Sequence, residues 1–124
     1  MISFEDFILA DDAPIYLQII RYIKRGIVAE HIQDQDEMPS RRVLSALLGV
    51  NPNTIQKAYH MLEEEGIIVS KAGAKSFVTV REDMVEDIRK ELLQKETKEW
   101  IGAMKQMQVS KEEALEVVRQ MWEQ

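Results

Sequence analysis

The stretch Leu48-Gly49-Val50-Asn51-Pro52 constrains the fold of this chain more than any other. Gly49 follows an apolar helical pattern and ends it, because glycine readily adopts the left-handed conformation in which many helices terminate. Asn51 is then a good N-cap, and Pro52 stands at the first helical position, where its missing N–H costs no hydrogen bond. The sequence therefore predicts two helices joined by a tight glycine turn.

Apolar residues at helical spacing predict the neighbouring helices. Helix 1 is expected over about 13–30, with Asp12 as its cap and Pro14 in its first turn. Ser40 is expected to cap a short helix 2, whose predicted core side is Val43, Leu44, Leu47 and Leu48. Helix 3 is expected over about 52–65, and its predicted buried face is Ile55, Ala58, Tyr59 and Leu62.

The pattern changes after Gly66 to two β-rich runs at 67–69 and 77–80, which predict a hairpin. Three helices with a tight turn between the second and third, followed by a hairpin, are typical of a winged helix-turn-helix, here at 12–80. A long helical pattern follows over 81–107, and Ser110 with Glu113 has the spacing of a capping box that opens a last helix. The predicted fold is thus mostly α with a small β-hairpin, and a two-helix tail occupies 81–124.

Charge is segregated along the chain. The formal net charge of −6 by itself predicts repulsion from phosphate. Residues 38–62, however, contain Arg41, Arg42 and Lys57 and no acid, and residues 66–81 contain Lys71, Lys75 and Arg81 and no acid. The two basic stretches coincide with the helix pair and the hairpin, which favours a nucleic-acid partner.

The polar face of helix 3 suits the major groove of DNA. Asn53 and Thr54 stand in its first turn, where short polar side chains meet base edges. Arg42 has the reach for guanine or for phosphate, while other basic and amide side chains are expected to contact the DNA backbone. The predicted DNA-binding set is Ser40, Arg41, Arg42, Asn51, Asn53, Thr54, Gln56, Lys57, Lys71, Gly73 and Lys75. Three alternatives stay open: Ser40 and Asn51 as caps alone, the basic residues as a solvated surface, and Gly73 as a plain turn glycine.

The tail carries more apolar surface than two helices can bury against each other, so we expect a second copy of the chain to cover it. The predicted dimerisation residues are Ile88, Leu92, Trp100, Ile101, Met104, Leu115, Val118, Met121 and Trp122. The methionines permit a small-molecule effector pocket at the dimer seam, but core packing is the favoured interpretation and no effector is indicated.

Several classes of function lack support in the sequence. The chain has no cysteine, and His31 and His60 are far apart, so no metal or cofactor is expected. No nucleophile elbow, phosphate loop or dinucleotide fingerprint indicates an enzyme. No secretory signal or membrane span is visible, so a cytoplasmic protein without a membrane partner is expected. The alternative to a DNA-binding regulator is a winged-helix module for protein–protein interaction, which would lack salt-dependent DNA binding.

The chain contains four ordered motifs: Pro14-Ile15-Tyr16-Leu17-Gln18-Ile19, Met38-Pro39-Ser40-Arg41-Arg42-Val43-Leu44, the run from Leu48 to Tyr59, and Leu62-Glu63-Glu64-Glu65-Gly66-Ile67-Ile68. These motifs resemble those of the GntR family of bacterial transcription regulators. The resemblance covers about 12–80, and the tail is similar to the two-helix dimerisation tail of the YtrA subfamily. It implies that Arg42 contacts DNA from helix 2, that Asn53 and Thr54 read it from helix 3, and that the wing approaches at Gly73. It also implies a homodimeric repressor with a double-stranded DNA operator of inverted-repeat form.

Three features depart from the family pattern. The glycine usual in the loop after helix 1 is absent, and Glu30-His31 and Gln35-Asp36 stand there instead. The acidic residue usual after the helix 2 arginine is Val43, and the second wing glycine is Lys75. The lysine favours a phosphate contact.

Overall fold

The computed structural model describes residues 1–71 and 75–124, which form five helices and one antiparallel hairpin. This architecture confirms the predicted fold class. The chain divides into two compact units, Met1–Arg89 and Lys90–Gln124. The elements in order are α1 (Ile15–Val28), α2 (Arg41–Leu48), α3 (Pro52–Glu64), β1 (Ile68–Lys71), β2 (Lys75–Val78), α4 (Glu82–Gln106) and α5 (Lys111–Trp122).

The turn between α2 and α3 has the predicted chemistry. Gly49 ends α2 with φ 65°, in the left-handed region, and Pro52 is the first residue of α3. The Ser40 Oγ accepts a hydrogen bond from the Val43 N–H at 3.1 Å, and the Asn51 Oδ1 accepts one from the Asn53 N–H at 2.8 Å. Both predicted caps are confirmed, and they fix where each helix of the pair begins.

The core of the first unit lies between α1, α2 and α3. Helix α3 packs against both α1 and α2, and the predicted buried face of α3 is confirmed. The fully buried side chains of the three helices include Ile19, Ile23, Ile27, Leu44, Ile55, Tyr59 and Leu62.

The predicted core side of α2 was wrong at two positions. Val43 is 58% exposed and Leu47 is 64% exposed, whereas Leu44 and Ser45 are buried. Residues one position apart on a helix differ in direction by about 100°. When Leu44 and Ser45 face the core, Val43 and Leu47 therefore face solvent. An eight-residue helix has room for only one narrow buried stripe.

Helix α1 begins differently from the prediction. Pro14 occupies the cap position without a side-chain hydrogen bond, and Asp12 lies 4.0 Å from the Arg21 guanidinium instead of capping the helix. The buried Gln18 amide accepts from the Ala10 N–H at 2.8 Å and donates to the carbonyls of Ala10 and Ala13 at 2.7 Å. This amide holds the segment before the helix, and α1 begins without a side-chain cap.

The N-terminal segment is part of the first unit, which the sequence reasoning missed. Ile2 and Phe4 are buried. The ring of Phe4 lies 4.8 Å from the ring of Tyr22, and Phe7 contacts both rings. These aromatic pairs add burial beyond the three-helix core.

The hairpin is tighter than predicted. Its strands pair in the register Ile68↔Val78, Ser70↔Ser76 and Lys71↔Lys75, so they extend into the segment expected to be the turn. Loop 33–38 runs beside β2: the Met38 N–H donates to the Ser76 carbonyl at 2.9 Å, and the Val78 N–H donates to the Asp36 carbonyl at 2.8 Å. Gly73 lies outside the described residues.

The loop that lacks the usual family glycine carries two strained residues. Glu30 and Gln35 have φ 65° and 73°, and the left-handed region costs a non-glycine residue about 1–2 kcal/mol. We expect Gln35→Gly to raise the free energy of unfolding by about 0.5–1 kcal/mol, since relief of strain exceeds the added entropy of the unfolded chain. Urea denaturation measures the change. Gln33→Gly, in the same loop without a positive φ, is the control and is expected to lower stability.

The second unit contains the end of α4 and the whole of α5. The Ser110 Oγ accepts from the Glu113 N–H at 3.1 Å, which confirms the predicted start of the last helix. Ala114 is buried, whereas Trp122 is 78% exposed. None of the helices in the described ranges is long and apolar enough to cross a bilayer.

Candidate nucleic-acid interface

One face of α3 is polar and exposed. Asn53, Gln56, Lys57 and His60 are all exposed and follow helical spacing, so they lie on the same side of the helix; Thr54 is half-buried beside them. The first turn of α3 contains no acid. The predicted recognition face is therefore accessible to a partner along its full length.

Arg42 lies at the start of α2 and is exposed. Within residues 1–71 and 75–124 its guanidinium has no hydrogen bond, ion pair or ring contact. A guanidinium without an intramolecular partner keeps its forked donors for a guanine edge or a phosphate.

Lys57 is held by an aromatic residue that the sequence reasoning did not single out. Its Nζ lies 4.0 Å from the centre of the Tyr16 ring, at the beginning of α1. A cation over a ring face is attracted by the ring quadrupole, and the ammonium still has free donors. Tyr16 thus reduces the freedom of a side chain on the recognition face. Apolar periodicity carries no signal for such a contact.

The acids of α3 are confined to its end, and each is paired. Glu63 accepts from Arg41 at 2.7 Å, Glu64 from His60 at 2.7 Å, and Glu65 from Lys24 at 2.9 Å. The charges of Arg41 and Lys24 offset those of Glu63 and Glu65, whereas the contact between His60 and Glu64 is an ion pair only when the imidazole is protonated. Arg42 at the start of α2 and Lys57 in α3 have no acidic partner among the described residues, in agreement with the charge separation that the sequence predicted.

Arg41 has a different environment from its neighbour. Its guanidinium carbon lies 4.9 Å from the centre of the buried Tyr59 ring, and Glu63 binds its Nη2. The Tyr59 hydroxyl donates to the Pro39 carbonyl at 2.6 Å. Burial raises the pKa of Tyr59, and the nearby Arg41 charge opposes that rise only in part. Arg41 and Tyr59 together connect the start of α2 to α3.

The hairpin places two lysines opposite each other. Lys71 and Lys75 are exposed and directly paired across the strands, and the Lys71 Nζ lies 5.1 Å from the Phe77 ring centre. Like charges directly opposite each other on a hairpin repel. A polyanion beside them would relieve that repulsion.

The predicted dimerisation residues differ in exposure. Ile88 is buried within the single chain, and Leu92, Trp100, Met104 and Val118 are half-buried. Four others are exposed: Ile101 at 40%, Leu115 at 39%, Met121 at 58% and Trp122 at 78%. The second unit therefore retains an uncovered apolar surface.

The described residues contain no group of three or more His, Cys, Asp and Glu side chains placed to hold a metal ion.

Comparisons with known proteins agree with these features. The family model for bacterial regulatory proteins of the gntR family matches residues 15–78. The Bacillus subtilis HTH-type transcriptional regulator YhcF is 32% identical over 106 residues, which are 86% of this chain and 88% of that protein. The B. subtilis HTH-type transcriptional repressor YtrA is 39% identical over 66 residues, 53% of this chain and 51% of that protein.

A solved structure supports the same assignment. A GntR family transcriptional regulator from Listeria monocytogenes has a TM-score of 0.76 and 33% identity, and the alignment covers 91% of this chain and 99% of that chain. These relatives are transcription regulators rather than enzymes, and the similarity to YtrA agrees with a YtrA-like subfamily. The chain belongs to the GntR family of bacterial regulatory proteins, as a transcription regulator whose DNA-binding domain is the winged helix-turn-helix described above.

Proposed function

We propose that this regulator is a cytoplasmic homodimeric repressor that binds an inverted-repeat operator in double-stranded DNA. The observation that carries the proposal is the exposed, acid-free beginning of α3 together with Arg42, whose guanidinium has no partner among the described residues. An α-helix fits the major groove, and its first turn is where side chains reach base edges.

The proposed contacts divide into two kinds. Asn53 and Thr54 meet base edges, and Arg42 binds guanine or phosphate. Gln56 and Lys57 contact the DNA backbone, while Lys71 and Lys75 bring the wing, with Gly73 between them, to a phosphate or to the minor groove. Ser40 and Asn51 act by fixing the N-termini of α2 and α3, whose free N–H groups attract phosphate. Arg41 is already bound by Glu63 and is left out of the direct contacts.

Dimerisation through the second unit is supported by its exposed apolar side chains. Ile101 and Leu115 also line a cavity of about 290 Å³ together with Met104, Val109 and Ala114. In a two-fold dimer the same surface patch of both copies forms the interface. A second copy would therefore cover this apolar surface with its own apolar side chains. No small-molecule effector is needed for this arrangement.

A two-fold dimer requires an operator of matching symmetry. Its half-sites are then about one helical turn apart, about 34–36 Å from centre to centre. The repressor role is supported by the relative YtrA, which is named a transcriptional repressor. A dimer seated on such a site blocks other proteins from the same DNA.

Selection of bound sequences from a random duplex pool, at two salt concentrations, tests the proposal. An inverted repeat that survives the higher salt is the expected result, because base readout persists where phosphate contacts weaken. Weak binding that salt erases, without a consensus, contradicts the proposed operator readout.

The Arg42→Ala variant is expected to lose about 1–3 kcal/mol of operator binding and to relax the preference at one position in each half-site. Lys57→Ala is the comparison: it should weaken binding to all sequences alike and reduce the salt slope by about one. Titrations on the selected operator and on single-base variants measure both effects. If the Arg42→Ala protein keeps the affinity and the sequence preference of the wild type, Arg42 does not contact the operator.

A further inference from the structure

Glu63 lies where α2, α3 and the hairpin meet. Its Oε1 accepts one hydrogen bond from the Arg41 Nη2 at 2.7 Å and another from the Ser70 Oγ at 2.8 Å. Arg41 opens α2, Glu63 belongs to the last turn of α3, and Ser70 belongs to β1. A single carboxylate oxygen therefore connects both helices of the helix-turn-helix to the wing.

The Arg41 end of this connection is partly desolvated. The Arg41 side chain is 26% exposed, its guanidinium lies over the Tyr59 ring, and its buried Nε has no acceptor in the part of the chain that the structure describes. Loss of the Glu63 carboxylate would leave this charge without its counter-ion in a poorly hydrated position. The neighbouring Glu64–His60 pair is more than 60% exposed on both sides, where an ion pair contributes little.

The Ser70 end fixes the hairpin close to its lysines. Ser70 stands opposite Ser76, their hydroxyl oxygens lie 3.5 Å apart, and the next pair outward is Lys71 with Lys75. Each strand has only four residues. Such a short hairpin is marginally stable alone, so its direction depends on its contacts. Loop 33–38 holds β2 through backbone hydrogen bonds, and Glu63 binds β1 through Ser70.

We propose that Glu63 is a positioning residue for the wing: through Arg41 and Ser70 it sets where Lys71 and Lys75 meet DNA. The proposal rests on the proposed function and adds a role for an acid on a surface that binds a polyanion. Arg41 then acts through Glu63 and not by touching phosphate itself.

The sign of one affinity change tests this role. On charge alone, removal of a carboxylate strengthens binding to DNA. Glu64→Ala, the matched control on the next position of the same helix end, is therefore expected to bind the selected operator equally well or up to about twofold more tightly. Glu63→Ala is expected to bind about three- to tenfold more weakly, the range that one displaced hydrogen-bonded contact accounts for.

Ser70→Ala isolates the wing branch, because it leaves the Arg41–Glu63 pair intact. It is expected to weaken binding in the same direction as Glu63→Ala, and the double variant should bind no more weakly than Glu63→Ala alone. Hydroxyl-radical footprinting should show lost protection where the wing lies and retained protection where α3 lies. Tighter binding by Glu63→Ala, with a salt slope steeper by about one, would identify Arg41 as a masked phosphate contact and overturn the proposal.

Hydrogen exchange on the free protein separates this proposal from the function on which it rests. Glu63→Ala and Ser70→Ala are expected to lose amide protection in β1 and β2 while α3 keeps its protection. Unchanged protection in the hairpin contradicts the positioning role, whatever the DNA result. Failure of the wild-type chain to select any operator contradicts the proposed function instead.

Discussion

A chain carrying Leu115→Glu is expected to sediment as a monomer of 14.4 kDa at concentrations where the wild-type chain has twice that mass. Leu115 is 39% exposed in the single chain and borders the apolar cavity of the second unit. A carboxylate is tolerated there in the monomer, where water reaches it. At a dimer seam the same carboxylate would be buried without a partner, which costs several kcal/mol.

The consequence for DNA binding is larger than that of any single contact. Two linked binding domains gain about 10²–10⁴-fold in affinity over one, because the second binding event becomes intramolecular. Leu115→Glu should therefore lose most of its affinity for the full operator and none for an isolated half-site. Gln120→Glu, which adds the same charge at an exposed polar position of α5, should remain dimeric. If the Leu115→Glu protein remains dimeric, the dimer interface does not include this surface.

Much of the fold was predictable because its signals are local. Gly49, Asn51 and Pro52 define a turn through backbone preferences that do not depend on distant residues. Ser110 defines a helix start in the same way. The exposure of Val43 and Leu47 was not predictable, because α2 is apolar at several neighbouring positions and its pattern does not show which of them face the core. That choice depends on how α2 packs against α3.

The candidate site divides along the same line. The exposed face of α3 followed from helical spacing and from the position of its caps. The sequence assigned Arg42 to guanine or phosphate and Arg41 to the DNA backbone, but neither assignment indicated that the fold would bring Glu63 and Tyr59 to Arg41. The Tyr16–Lys57 contact joins residues 41 positions apart in sequence, and the local sequence around either residue does not predict it.

Tyr59→Ala is expected to lower the free energy of unfolding of the first unit by about 3–5 kcal/mol, through the cavity left by a fully buried ring. Tyr59→Phe keeps the ring and removes one hydroxyl, which leaves the Pro39 carbonyl without its partner and costs about 1–3 kcal/mol. Both tryptophans, Trp100 and Trp122, lie in the second unit. Neither tryptophan therefore lies in the unit that contains Tyr59, and hydrogen exchange in α3 measures the loss directly.

The difference in stability between wild type and Tyr59→Phe is expected to depend on pH. Burial raises the pKa of Tyr59 above its ordinary value of 10.0, so the folded protein keeps the proton over a range in which the unfolded chain releases it. The stabilisation that the protonated Tyr59 hydroxyl contributes is complete below pH 10. It is lost as pH rises above 10, by up to about 1.4 kcal/mol per pH unit. Because the other titrating groups are common to both proteins, the stability gap between wild type and Tyr59→Phe should narrow above pH 10. A gap that stays constant between pH 9 and pH 11 would mean that the hydroxyl is accessible to water, and it would remove Tyr59 as the buried connection between the start of α2 and the recognition helix.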